Sequence, residues 1–156
     1  MISSRKADAL SLASLGVLLV ALAITIYLTI AHYQTKILVC AVGGDCHTVQ
    51  TSKYAMFGPI PVALLGLVLI VTLLGLWIAR WQHWEDPFTA TGLSFILLFV
   101  AVVSEGYLTY VEIWVLEAIC TWCVLFATTL VILTILELLH LIKMTRESID
   151  DDLAAP

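Results

Sequence analysis

The chain has 156 residues, 62% of them hydrophobic and only 12% charged, with a mean hydropathy of +1.05. A soluble domain is about half apolar, so this balance excludes an ordinary soluble protein and points to an integral membrane protein. The formal net charge of -5 comes largely from Asp150, Asp151 and Asp152, which read as a solvated, disordered tail rather than a binding surface.

Four apolar runs predict spans at about 10–32, 59–80, 88–110 and 114–142. Each reaches the roughly 20 residues that a hydrocarbon core of about 30 Å requires of a helix. The uninterrupted Leu, Ile, Val and Ala runs lack the alternation of barrel strands. The expected fold is therefore an all-α membrane protein of one domain over 1–156: a four-transmembrane-helix bundle with a short interfacial helix in its first external loop. The first run is followed by His32-Tyr33-Gln34-Thr35-Lys36, which offers no small-x-small cleavage pattern, so it reads as a retained span.

Arg5, Lys6, Arg80, Lys143 and Arg146 fall on one side of these spans, and Lys36 and Lys53 on the other. The richer side is expected to be cytoplasmic. That leaves 33–58 as an external loop and 143–156 as a cytoplasmic tail. In the loop, Cys46 to Ala55 contains no Gly or Pro and reads as the interfacial helix. Gly58-Pro59-Ile60-Pro61 then breaks it and restarts the second span, since proline is tolerated in a helix's first turn.

The four cysteines form two pairs, and each pair lies at the external end of an apolar run, where disulfides persist. Cys120-Thr121-Trp122-Cys123 heads the last span, and a spacing of three sets both sulfurs on one helix face, about 60° apart. A helix N-terminus stabilises a thiolate and lowers its pKa, which suits exchange chemistry. Cys40 and Cys46 would be separated by about 9 Å along a straight helix. They can pair only through a turn, which Gly43-Gly44-Asp45 supplies. A disulfide on such a loop would act as a shuttle to the membrane-embedded pair.

Other readings stand beside the redox relay. The four cysteines with His47 could hold zinc in a non-catalytic membrane scaffold or zinc-binding protein, or the pairs could be inert disulfides, although a C-x-x-C bridge closes too small a loop to stabilise much. His47 otherwise reads as a loop histidine, Trp122 as an interfacial anchor, and Glu137 as a snorkelling or paired carboxylate near the cytoplasmic end of its span. Glu105, Glu112 and Glu117 read as solvated near the external surface, with Glu117 close enough to raise the pKa of Cys120.

Taken together, Cys40-x5-Cys46, Ser52, the run Phe57-Gly58-Pro59-Ile60-Pro61-Val62-Ala63-Leu64-Leu65-Gly66 and Cys120-x2-Cys123 resemble the vitamin K epoxide reductase family in its bacterial homologues. The resemblance covers about 10–141. The other quinone-linked four-helix oxidase type carries C-x-x-C in the first external loop and the spaced pair in the second, the reverse of this order. Where the vertebrate enzymes have a tyrosine four residues after C-x-x-C, this chain has Ala127, so the resemblance does not carry epoxide reduction over. Many bacterial relatives carry a fused thioredoxin-like domain, and this chain is read as lacking one.

The resemblance implies an enzyme of the bacterial cytoplasmic (inner) membrane, a thiol:quinone oxidoreductase with its cysteines on the extracytoplasmic face. It would reoxidise a separate periplasmic or extracytoplasmic DsbA-like, thioredoxin-fold partner. Catalysis would fall to Cys40, Cys46, Cys120 and Cys123. A quinone of the ubiquinone, menaquinone or vitamin K type would sit in an apolar pocket formed by Ser52, Phe57, Phe126, Ala127 and Leu130, with no metal.

Overall fold

The computed structural model describes residues 9–34, 39–40, 44–82 and 86–154. Arg5, Lys6, Lys36 and Gly43, on which the charge count and the loop turn draw, lie outside the described residues. Among the described residues, four helices are long and apolar enough to cross a membrane. They are α1 (Ala9–Tyr33), α3 (Val62–Trp81), α4 (Pro87–Trp114) and α5 (Thr121–Ala154). A short helix α2 (Cys46–Thr51), a 3-10 turn (Lys53–Ala55) and a hairpin of β1 (Met56–Phe57) with β2 (Ile60–Pro61) join α1 to α3.

The long helices form a four-helix bundle in which α1 packs against α3 and α5, α4 packs against α5, and α3 meets α4 more lightly. Leu18, Ala21, Ile24, Leu28, Ile70, Leu98, Phe126, Leu130 and Leu133 fill its centre. Leu19, Val68, Phe99 and Ile135 instead point outward, as expected of side chains that face lipid tails. Threonine hydroxyls within the bundle turn back onto their own helix, as Thr25 does to the carbonyl of Ala21 at 3.0 Å, which keeps them bonded away from water. Gly66 brings α3 close to α5: a Cβ there would lie 3.4 Å from the Phe126 ring, and small residues permit such approach between membrane helices.

Several boundaries differ from the expected ones. The second span begins at Val62 rather than 59 because Gly58-Pro59 closes a hairpin pairing Phe57 with Ile60. Gly58 has φ 62°, at the first central turn position where tight hairpins call for a positive φ. Helix α4 continues to Trp114, and α5 starts only at Thr121. Between them the amides of Leu116 and Ala118 return to the carbonyls of Val111 and Glu112 at 2.9 and 3.0 Å. Glu117 takes the left-handed conformation, φ 50°, that commonly ends a helix. At the other end α5 stays helical to Ala154, where the sequence suggested a disordered tail.

Opposite the cysteines, Arg80 bonds Glu137 at 3.0 and 3.4 Å and Thr91 at 3.0 Å. This links α3, α5 and α4, and makes Glu137 a paired carboxylate. Asp86 caps α4 by accepting from the Thr89 amide at 3.1 Å, with Pro87 in the first turn, where its missing donor costs nothing.

Candidate functional site

The two cysteine pairs meet at one end of the bundle. Cys40 and Cys46 form a disulfide, with their Cα atoms 5.8 Å apart, while Cys120 and Cys123 are free thiols. Cys46, Val49, Ala118 and Cys120 make a small buried cluster against which Cys40 and Cys123 pack. Both Cys46 and Cys120 have 0% exposure, so the inner sulfur residues of the two pairs share one dry contact zone.

Local structure explains the seating. Asp45 caps α2 through the Thr48 amide at 3.1 Å and the Thr48 hydroxyl at 2.6 Å, and its own amide donates to the Ile119 carbonyl at 3.0 Å. Gly44 is pressed against the start of α5: a Cβ there would fall 2.8 Å from Thr121 Oγ1 and 3.1 Å from the Ile119 carbonyl. Glycine at this position therefore serves close approach as much as the turn. Tyr27 receives the Val39 amide at 3.0 Å and packs on Trp122 with ring centroids 4.7 Å apart. Trp122 donates to the Val39 carbonyl at 2.9 Å. Trp122, expected as an interfacial anchor, thus fastens the loop.

Cys120 precedes the first residue of α5 and acts as its cap. Its carbonyl accepts from Val124 at 3.0 Å, and its Sγ accepts from the Cys123 amide at 3.3 Å. Hydrogen bonding from the Cys123 thiol, opposed by burial, holds the Cys120 thiol below its ordinary pKa, in keeping with a sulfur at a helix N-terminus. The carboxylate nearest this centre is Glu112 rather than Glu117. Glu112 is buried, 4% exposed, and accepts from the Cys120 amide at 3.0 Å. The extra turn of α4 beyond residue 110 carries Glu112 inward.

Cys123 opens into a cavity among α1, α3, α4 and the loop. Apolar walls come from Leu28, Ala63, Leu108 and Phe126, and polar groups from Gln50, Ser52, Tyr54, Glu105 and Glu112. Gln50 points its amide at Cys123 Sγ, 3.9 Å away. Ser52 and Phe126 line this cavity with Cys123, whereas Phe57, Ala127 and Leu130 lie outside its lining. Phe57 is carried away on the hairpin and is 74% exposed. Leu130, one helical turn past Phe126, is packed in the bundle core. Ser52 bonds the Val49 carbonyl at 2.8 Å and so also terminates α2. His47 sits on the exposed face of α2, and among the described residues no three His, Cys, Asp or Glu side chains converge as metal ligands.

A model of the vitamin K epoxide reductase family matches residues 12–138. The chain belongs to this family. No curated protein matches it. As a member of the vitamin K epoxide reductase family it is a multi-pass membrane thiol–disulfide oxidoreductase, and the family generally uses a quinone together with redox cysteines. The cavity suits such a ring in its chemistry, since it combines apolar walls with a few convergent polar groups. Gln50 and Tyr54 were not singled out by sequence reasoning. The signal that could have found them is helical spacing from Cys46, which puts Gln50 one turn on.

Proposed function

We propose that the protein is a thiol:quinone oxidoreductase that reoxidises a separate thioredoxin-fold, DsbA-like protein and passes two electrons through its two cysteine pairs to a membrane quinone. In this reading it supports disulfide formation outside the cytoplasm of a bacterial cell, with the cysteine end on the extracytoplasmic face of the cytoplasmic membrane. The observation that carries it is the burial of Cys46 and Cys120 in one cluster while Cys123 opens into the cavity.

The partner's thiolate attacks Cys40, the Cys40–Cys46 bond breaks, and Cys46 leaves with the electron pair. The partner's second thiolate then displaces Cys40 and departs oxidised. Cys46 attacks Cys120 in an oxidised helix pair and releases Cys123. Cys40 next attacks Cys46, which restores the loop disulfide and frees Cys120. These steps leave the loop pair oxidised and the helix pair reduced. A bound quinone supplies an acceptor for two electrons and two protons. Cys123 opens into the cavity that would hold it, Phe126 and Ala63 would form apolar walls, and Ser52, Gln50 and Tyr54 would offer polar groups to orient it.

The test is trapping combined with turnover. Cys46→Ala should accumulate a mixed disulfide between Cys40 and a thioredoxin-fold protein, and wild type should reduce added quinone at the expense of that protein's thiols. Absence of both the adduct and quinone reduction would falsify the reading.

A further inference from the structure

Glu112 is a buried acidic side chain at the sulfur centre, and neither ion pair among the described residues includes it. Burying a carboxyl without a cation is costly, and such groups concentrate where protons are moved. Its carboxyl accepts from the Cys120 amide at 3.0 Å, which fixes its position at the head of α5. It also lines the cavity into which Cys123 opens. The titratable groups that face it are Cys120 and Cys123 at the head of α5, Glu105 two turns away on α4, and Tyr54 from the 3-10 turn; α1 and α3 bring none to the lining.

We propose that Glu112 is the proton carrier of Cys123 during exchange between the two cysteine pairs, a role that rests on the relay proposed above. When Cys46 thiolate attacks Cys120, the Cys46–Cys120 bond forms and the Cys120–Cys123 bond breaks. The electron pair of the broken bond goes to Cys123 Sγ, which takes the proton of the Glu112 carboxyl and leaves a carboxylate. Before Cys123 surrenders electrons to an acceptor of the quinone class, that proton returns to Glu112. Glu112 exchanges only a proton and undergoes no redox change.

The exchange step can be followed without quinone. Detergent-purified protein with both pairs oxidised is treated with a small dithiol that opens Cys40–Cys46. Loss of the Cys120–Cys123 bond is then read by acid quench and site-resolved mass spectrometry across pH, with Cys46→Ser giving the background. The wild-type rate should rise as Cys46 ionises and fall as Glu112 loses its proton. Glu112→Gln keeps an acceptor for the Cys120 amide but carries no proton, so the rate should drop on the order of 10²-fold and the falling limb should vanish. A Glu112→Gln rate and pH profile equal to wild type overturns the proposal, as does equal slowing of loop-pair opening and transfer. Should that variant not fold, the wild-type transfer step in D₂O decides: a normal solvent isotope effect supports the proposal and its absence overturns it. If wild type shows no Cys46-dependent transfer, the relay itself fails and this role falls with it.

Discussion

The Trp122 indole N–H donates to the Val39 carbonyl at 2.9 Å, so one of the two residues between the helix cysteines holds the residue before the first loop cysteine. Movement of either pair relative to the other must stretch this bond. Trp122→Phe keeps a ring against Tyr27 but removes the donor. A net hydrogen bond is worth about 1 kcal/mol, or roughly fivefold in a local opening equilibrium. The variant should therefore expose the Cys40–Cys46 disulfide to a small external dithiol about fivefold more, measured as the initial rate of loop-pair reduction.

Gly44 gives a prediction of opposite character. Gly44→Ala drives a methyl against Thr121 Oγ1 and the Ile119 carbonyl, and the carbonyl cannot rotate away. Overpacking of this kind costs about 1–3 kcal/mol. The loop should lift from the head of α5 and separate Cys46 from Cys120. The expected result is a lower melting temperature in detergent together with slower disulfide transfer from Cys46 to Cys120 in a quenched-exchange assay.

How much of this arrangement was legible in the sequence depends on whether a contact is local. The four spans follow from apolar length alone, and the C-x-x-C at the head of α5 follows from spacing, because both are properties of one segment. Glu112 was misread as solvated because its orientation depends on where α4 ends, and that end is set by amides of 116 and 118 folding back. Gln50 and Tyr54 reach the cavity only through the placement of α2 over the bundle. Leu130 follows helical periodicity, yet periodicity cannot say whether a face meets the cavity or the core below it.

At the far end, Arg80 and Glu137 have side chains only 13% and 6% exposed. Removing one partner strands the other's charge, which typically costs 3–5 kcal/mol, while replacing both by apolar residues is often neutral or better. Arg80→Ala should therefore be destabilised by about 3 kcal/mol, and the double variant Arg80→Met with Glu137→Leu should recover most of that loss. Thermal unfolding in the same detergent would compare them, and equal stability of the single variant and wild type would contradict the ion-pair assignment.

The cap of α2 carries a pH dependence. The Thr48 hydroxyl and amide hold the Asp45 carboxyl below its ordinary value of 3.8. A depressed folded pKa means that the cap's contribution is fully present above the ordinary value and is lost as pH falls through the lowered one. Amide exchange at Thr48 should stay protected at neutral pH and accelerate, relative to other loop amides, only in acid below that ordinary value. Asp45→Asn should abolish this acid dependence, and an unchanged acid response in that variant would show that another group governs it.

The clamp of Arg80, Glu137 and Thr91 lies at the end of the bundle away from the cavity, and α3 meets α4 more lightly than the other neighbours meet. Val62, Ala63 and Gly66 border the cavity on one side of that seam, and Glu105 and Leu108 border it on the other. The molecule is thus riveted at its base and loosely stitched beside its redox centre. A lipid-dissolved ring bound in this cavity would meet its least resistance along that seam, so the doorway for such a guest would open sideways into the bilayer without disturbing the rivet.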